Sequence, residues 1–164
     1  MLIRAASESD LGAVRSLLVE TWHATYDALY GRERVRQIVG SWHSPAALKA
    51  RLERHDSAFL LAEEGGQICG MAFAAATEDG GTVMLHQLYV MPCRHGQGIG
   101  GQLLAAVENA FPRASRIRLE VEEGNSRAVA FYRARGFLKV GCTDNCGQEQ
   151  SDIPAAIYEK PLGR

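Results

Sequence analysis

Apolar residues recur with two different periods along this chain, and the changes of period mark out its elements. Leu11, Val14, Leu18 and Thr21/Trp22 repeat at helical spacing behind the capping residues Ser7, Ser9 and Asp10, which predicts a helix running to about Tyr30, where Gly31 interrupts it. A more polar helical stretch through Val35 and Ile38 is predicted to stop near Gly40, and Ser44 with Pro45 opens a short helix from Ala46 to Arg54. The period then falls to that of strands. Ala58 to Ala62 and Ile68 to Ala75 flank a hairpin turn at Glu63 to Gln67, and a second turn at Glu78 to Gly81 leads into a strand from Thr82 to Val90. Ile99, Leu103, Leu104, Val107 and Phe111 line one face of the next helix, which Pro112 ends. Arg116 to Val121 alternates as a strand, Asn125/Ser126 start a helix that Gly136 stops near Arg135, and Phe137 to Cys142 and Ala155 to Leu162 close the order as two strands. With the strand-like start at Met1 to Ala5, hairpins mixed with two strand–helix–strand units imply an α+β (mixed α/β) sheet. Its parallel part should lie at the Leu88 and Leu119 strands.

Composition narrows the function classes. A length of 164 residues fits one domain, and 46% hydrophobic with 23% charged residues is ordinary for a globular protein. Eighteen basic and nineteen acidic residues leave a net charge of −1, with no basic stripe for nucleic acid. No apolar run approaches membrane-spanning length and the start MLIRAASESD lacks a signal segment, so a cytoplasmic protein without membrane association is expected. The four cysteines lack paired metal-ligand spacing, and reduced thiols without a metal are the expectation.

The strand ending at Val90 runs into Pro92 and then a glycine cluster, Gly96, Gly98, Gly100 and Gly101, with an apolar helical pattern directly behind. A strand, a glycine-rich turn and a helix N-terminus together present backbone N–H groups and the positive end of the helix dipole to an anion. The spacing G-x-G-x-G-G is not the dinucleotide fingerprint, and the Lys-Ser/Thr of a phosphate loop is absent. The pattern V-x-P-x-x-(R/Q)-G-x-G-x-G resembles the acyl-CoA signature of the GNAT superfamily of N-acetyltransferases. A second block, Asn125, Ala128, Phe131, Tyr132, Gly136 and Phe137 as N-x-x-A-x-x-F-Y-x-x-x-G-F, resembles the family's next motif at its usual distance.

That resemblance implies a central, mostly antiparallel sheet of about seven strands with a splayed parallel pair, flanked by about four helices, in a single domain over residues 1–164. It implies acetyl-CoA as co-substrate, with backbone groups of Leu88 and Val90 on the pantetheine amides and acetyl carbonyl. The N–H of Val90 would be the oxyanion donor. His95, Gly96, Gln97, Gly98, Gly100 and Gly101 would surround the pyrophosphate, Asn125 and Phe131 would belong to the pantetheine side, and Tyr132 would be the general acid. His95 stands where the family has Arg or Gln, which predicts weaker pyrophosphate binding at high pH, where imidazole is neutral; Arg94 is the neighbouring fixed charge.

The general base is less evident. Some family members carry a Glu at the position of Met84. His86, two residues on, shares the side-chain parity of Leu88 and Val90, and is either the base or a structural strand histidine; Glu120, Glu122 and Glu123 follow as candidates. Trp22, Tyr26 and Tyr30 recur every fourth residue with His23 and Asp27 beside them. That stripe is either helix core or the wall of an amine-acceptor site. This segment and the late loop Gly147 to Asp152 are loosely similar to the polyamine-acetyltransferase branch. The expected reaction is acetylation of a small-molecule primary amine, the alternatives being a peptide or protein amine, or a non-catalytic acyl-CoA sensor. A homodimer through late strands is the assembly that the resemblance implies.

Overall fold

The structure, a computed structural model, describes residues 1–146 and 153–163. Its elements follow the order β1 (Leu2–Ala5), α1 (Leu11–Tyr30), α2 (Arg32–Trp42), α3 (Pro45–Glu53), β2 (Ser57–Glu64), β3 (Gln67–Ala76), β4 (Thr82–Val90), α4 (Ile99–Ala110), β5 (Arg116–Val121), α5 (Ser126–Ala134), β6 (Leu138–Thr143) and β7 (Ala155–Pro161). The strands form one seven-stranded sheet in the order β1-β2-β3-β4-β5-β7-β6, with β4 and β5 parallel. The mixed α+β reading holds, with five α-helices where about four were expected. Gly40 does not end α2, which continues to Trp42, because a glycine is tolerated inside a helix and no side-chain space is contested there.

The chain divides into two compact units, Met1–Ala74 with Gln87–Ala110, and Ala75–His86 with Phe111–Arg164. In the first, α1 carries Val14, Leu17 and Leu18 onto Phe59, Leu61, Met71 and Phe73 of the sheet, with Leu48 of α3 in the same cluster. Gly31 stops α1 at φ 84°, a conformation that favours glycine, and α2 folds back against α1 to bury Val35 and Val39 beside Trp22 and Tyr26. Ser44 Oγ accepts the Ala47 N–H at 3.1 Å, as the Ser-Pro signal predicts for the start of α3. Gly70 of β3 lies under α4: a Cβ there would come within 3.0 Å of Leu103 Cδ1 and 3.2 Å of both Ile99 Cγ2 and the Tyr89 carbonyl.

In the second unit, β5 pairs in parallel with β4 from Thr82↔Arg116 to Leu85↔Leu119. The register stops there, one residue short of His86 and Glu120, while β5 remains paired with β7 through Val121↔Ala156. Ile117, Leu119 and Val121 alternate inward as the sequence predicts, and Arg118 reaches Glu159 at 2.7 Å. Strand β6 forms the sheet edge and leaves Leu138 and Val140 exposed. Among the described residues no helix is long and apolar enough to cross a membrane.

Candidate active site

The glycine cluster forms a cradle in the first unit. Strand β4 ends at Val90, a 3-10 turn covers Pro92–Arg94, and α4 begins at Ile99, with the Gln102 N–H bonded to the Gly98 carbonyl. Gly96 and Gly98 stand at φ 80° and 81° with open space where side chains would be, whereas Gly100 and Gly101 lie inside the first turn of α4. Two left-handed residues ahead of a helix start turn successive N–H groups toward one side, which is the geometry of an anion nest. Gln97 lies between them, its Oε1 accepting from Arg94 Nε at 2.9 Å, and the same guanidinium pairs with Glu64. Arg94 is therefore tied to a carboxylate of its own unit.

His95 does not reach out as an extra phosphate ligand would. Its Nε2 donates to the Val90 carbonyl at 2.9 Å, which fixes the end of β4 from the turn that follows. The Met91 N–H donates toward β3, to the Cys69 carbonyl at 2.9 Å. Alternation along a strand then sends the Val90 N–H, and that of Leu88, to the opposite side from β3. The Val90 N–H is so directed while its own carbonyl is held by His95.

The aromatic stripe of α1 is mostly interior. Trp22 and Tyr26 are buried against Val35 and Val39, their rings 4.6 Å apart, and Trp22 also meets Trp42, His43 and Tyr89 at 5.5, 5.7 and 6.4 Å. His23 and Asp27 pair with each other at 2.7 Å, one helical turn apart. The packing joins Trp22 to residues the sequence reading missed. His43 is 1% exposed, and its Nδ1 lies 3.1 Å from Arg51 Nη2, which also donates to the Trp42 carbonyl at 2.6 Å. Burial, then the neighbouring Arg51 and Arg15, push the His43 imidazole down to about 3, and burial lowers the Arg51 guanidinium as well. No local pattern could have flagged these two, since they meet only through the packing of α3 and the end of α2.

The second unit holds the other predicted residues. Asn125 caps α5, its Oδ1 accepting the Ala128 N–H at 3.2 Å. Tyr132 is 8% exposed, with Phe131 and Phe137 edge-on at 5.1 and 5.3 Å, and its carbonyl accepts the Phe137 N–H at 3.1 Å. Gly136 at φ 94° makes that return possible, so Tyr132, Gly136 and Phe137 form one local device. Arg135 stacks on the Phe131 ring at 3.7 Å. His86 is exposed on β4, and Met84 is half-buried. Glu122 accepts the Gly124 N–H at 3.0 Å and Glu123 pairs with Lys139 at 2.7 Å. Burial, followed by the carboxylates of Glu120 and Glu122, pushes the Cys146 thiol up to about 12. The loop Gly147 to Asp152 lies outside the described residues.

Comparison with known proteins decides the family. Residues 13–137 match the Acetyltransferase (GNAT) family. The chain belongs to it. It is an N-acetyltransferase, as both sequence motifs imply. An uncharacterized N-acetyltransferase of Bacillus subtilis, YhfO, is 32% identical over 143 residues, covering 84% of this chain and 89% of its own. The peptidyl-lysine N-acetyltransferase YiaC of Escherichia coli is 29% identical over 164 residues, covering 98% and 97%. In fold, this GNAT chain is similar to the PaiA N-acetyltransferase of Thermoplasma acidophilum in complex with coenzyme A, with a TM-score of 0.86, 24% identity and 98% coverage of each chain.

Proposed function

We propose that this N-acetyltransferase transfers the acetyl group of acetyl-CoA to a primary amine of a small molecule by direct attack. The observation that carries the reading is the cradle: Gly96 and Gly98 at positive φ, open to solvent, ahead of the N-terminus of α4. Such a nest fits a pyrophosphate, and the residues from Gly96 to Gly101 hold it through backbone N–H groups, with His95, whose own N–H donates to the Pro92 carbonyl, beside them. Leu88 and Val90 bond the pantetheine arm and the acetyl carbonyl, with Asn125 and Phe131 on the arm. The amine nitrogen attacks the thioester carbon, the Val90 N–H takes the charge that develops on oxygen, and the C–S bond breaks as Tyr132 gives its hydroxyl proton to the leaving thiolate. His86, exposed and able to work through water, removes the proton from the amine. Trp22 and Tyr26 form the aromatic wall on the acceptor side, with His23 and Asp27 at its rim.

The test is thiol release from acetyl-CoA over a panel of diamines, amino acids, aminoglycosides and short peptides, with and without Tyr132→Phe. Tyr132 is already packed by two phenylalanines, so the phenyl ring preserves the fold. We expect kcat to fall about 100-fold while acetyl-CoA affinity stays within about 3-fold. A kcat within about 3-fold of wild type removes Tyr132 as the acid. Turnover confined to peptides, the acceptor class named for YiaC, replaces the small-molecule reading.

A further inference from the structure

The proposed chemistry leaves one polar group of the first unit unexplained. Trp22 Nε1, His43 Nε2 and Arg51 Nη1 are buried, and no hydrogen-bond partner for any of them is found among the described residues. All three are donors. Arginine can only donate, so His43 Nδ1, 3.1 Å from Arg51 Nη2, is an acceptor and the imidazole proton sits on Nε2. The residues are contiguous: the Trp22 and His43 rings meet at 5.7 Å, and His43 bonds Arg51. Trp22 and His43 are 5% and 1% exposed. Each buried donor left unmet costs roughly 1–3 kcal/mol, so a fold that keeps three together needs an acceptor for them.

Charge points the same way. Arg51 makes no ion pair with a carboxylate among the described residues, and Arg15, which donates to the His43 carbonyl at 3.2 Å, adds a second cation beside the group. A water molecule accepts two hydrogen bonds and carries no charge, whereas a carboxylate offers about four acceptor positions and a full negative charge. The surroundings are aromatic, from Tyr26, Trp42 and Tyr89. Trp42 and Tyr89 are the half-buried rings among them, so the group lies under a partly exposed aromatic cover. One unmet acceptor, Gln87 Oε1, lies on β4 two residues from Tyr89, hence on the same strand face.

We infer that Trp22 and His43 receive the carboxylate of the acceptor, with the Arg51 charge behind His43, while Gln87 takes a hydrogen of its amine, so that the acetylated molecule is an amino acid or a related carboxylate-bearing amine. This rests on the acetyl-transfer reading above. It also disfavours polyamines, whose charge repels Arg51 and Arg15.

The test separates the two readings. The chain has two tryptophans, so an isotope-labelled sample shows two indole N–H signals, which Trp22→Phe and Trp42→Phe assign. Lysine and phenylalanine are compared with the matched amines cadaverine and phenethylamine, with acetate as the free carboxylate. We expect an amino acid to move the Trp22 indole proton downfield, its decarboxylated partner to leave it in place, and acetate to require at least about 10-fold higher concentration. Arg51→Met should lower kcat/KM for the amino acid roughly 30-fold and leave the matched amine within about 3-fold, with Arg51→Lys between them. If amines are turned over but no carboxylate moves the Trp22 signal, the inference falls and the acetyl-transfer reading stands. Saturation by acetate as readily as by the amino acids also overturns it. If no amine is turned over, the acetyl-transfer reading falls, and the indole titration still reports on the donors.

Discussion

The first unit holds two sets of waiting N–H groups that differ in almost every physical respect. The cradle from Gly96 to Gly101 is made of backbone donors, open to water, and water satisfies them when no phosphate is present. The set at Trp22, His43 and Arg51 is made of side chains closed off by aromatic rings, where an unmet donor is a standing loss. A site of the first kind is cheap to keep empty and binds through shape and dipole. A site of the second kind is unstable without its occupant and is correspondingly selective, because a ligand lacking the matching acceptor leaves the donors unmet.

The largest expected effect on this contrast is in acid. His43 is held neutral in the fold at about 3, against an unfolded value near 6.5, so between those limits the unfolded chain binds the extra proton. The stability that this neutral histidine represents is complete above about pH 6.5 and is lost as pH falls toward 3, amounting to at most about 5 kcal/mol. The carboxylates of Asp10 and Asp79 are also held low, by Arg4 for the first and by Thr77 and backbone N–H groups for the second, and they weaken the fold in acid by the same linkage. The measurement is therefore a difference. His43→Asn keeps an acceptor for Arg51 without titrating, and denaturant unfolding from pH 7 to pH 4 should show a shallower loss for the variant. Equal slopes would mean that His43 is not neutral in the fold.

Next comes the open site. A Cβ at Gly98 meets nothing within 4 Å, so the objection to a side chain there is its φ of 81° and the screening of the N–H groups, not a clash. Gly98→Val should weaken acetyl-CoA binding by about 10–100-fold, read by calorimetry, as a strained residue turns the nest amides away. It should leave the Trp22 indole signal unchanged. A shift there would show that the two sets of donors are coupled.

The same contrast explains what could be read from the sequence. The cradle lies within a few consecutive residues and announces itself by glycine spacing, as Asn125, Tyr132 and Gly136 do by theirs. Ser44 and Asn125 were legible as caps because capping is local. The strand alternation of Arg116–Val121 was legible because period two needs only one buried face. His43 and Arg51 were not, since in sequence they are an ordinary loop histidine and one of several basic residues on α3, and only tertiary packing unites them with Trp22. The extension of α2 past Gly40 is hidden for the opposite reason: the glycine is a local stop signal, and the packing of Val35 and Val39 overrides it. His95 was legible as unusual, but its bond to the Val90 carbonyl is a fact of the folded turn.

The smallest effect concerns a glycine whose reason is the reverse of that at Gly98. Gly70 has ordinary φ but no space: an added Cβ would meet Leu103 Cδ1 at 3.0 Å, Ile99 Cγ2 at 3.2 Å and the Tyr89 carbonyl at 3.2 Å. Leu103 and Ile99 can yield by small rotations, whereas the Tyr89 carbonyl belongs to β4 and cannot move without the strand. Gly70→Ala should therefore destabilise the fold by about 1–2 kcal/mol through overpacking, and shift the start of α4 slightly. Because Ile99 is the first residue of that helix, acetyl-CoA affinity should fall by only about 2–3-fold, roughly 0.5 kcal/mol, through the displaced amides behind Gly98. Gly98→Ala should show the converse, roughly 1 kcal/mol of stability from the left-handed backbone alone, with no packing change. Unfolding curves for the two alanine variants, set beside their acetyl-CoA affinities, separate close approach from backbone freedom. A neutral Gly70→Ala would mean that α4 does not need its close seat on β3 to hold the cradle.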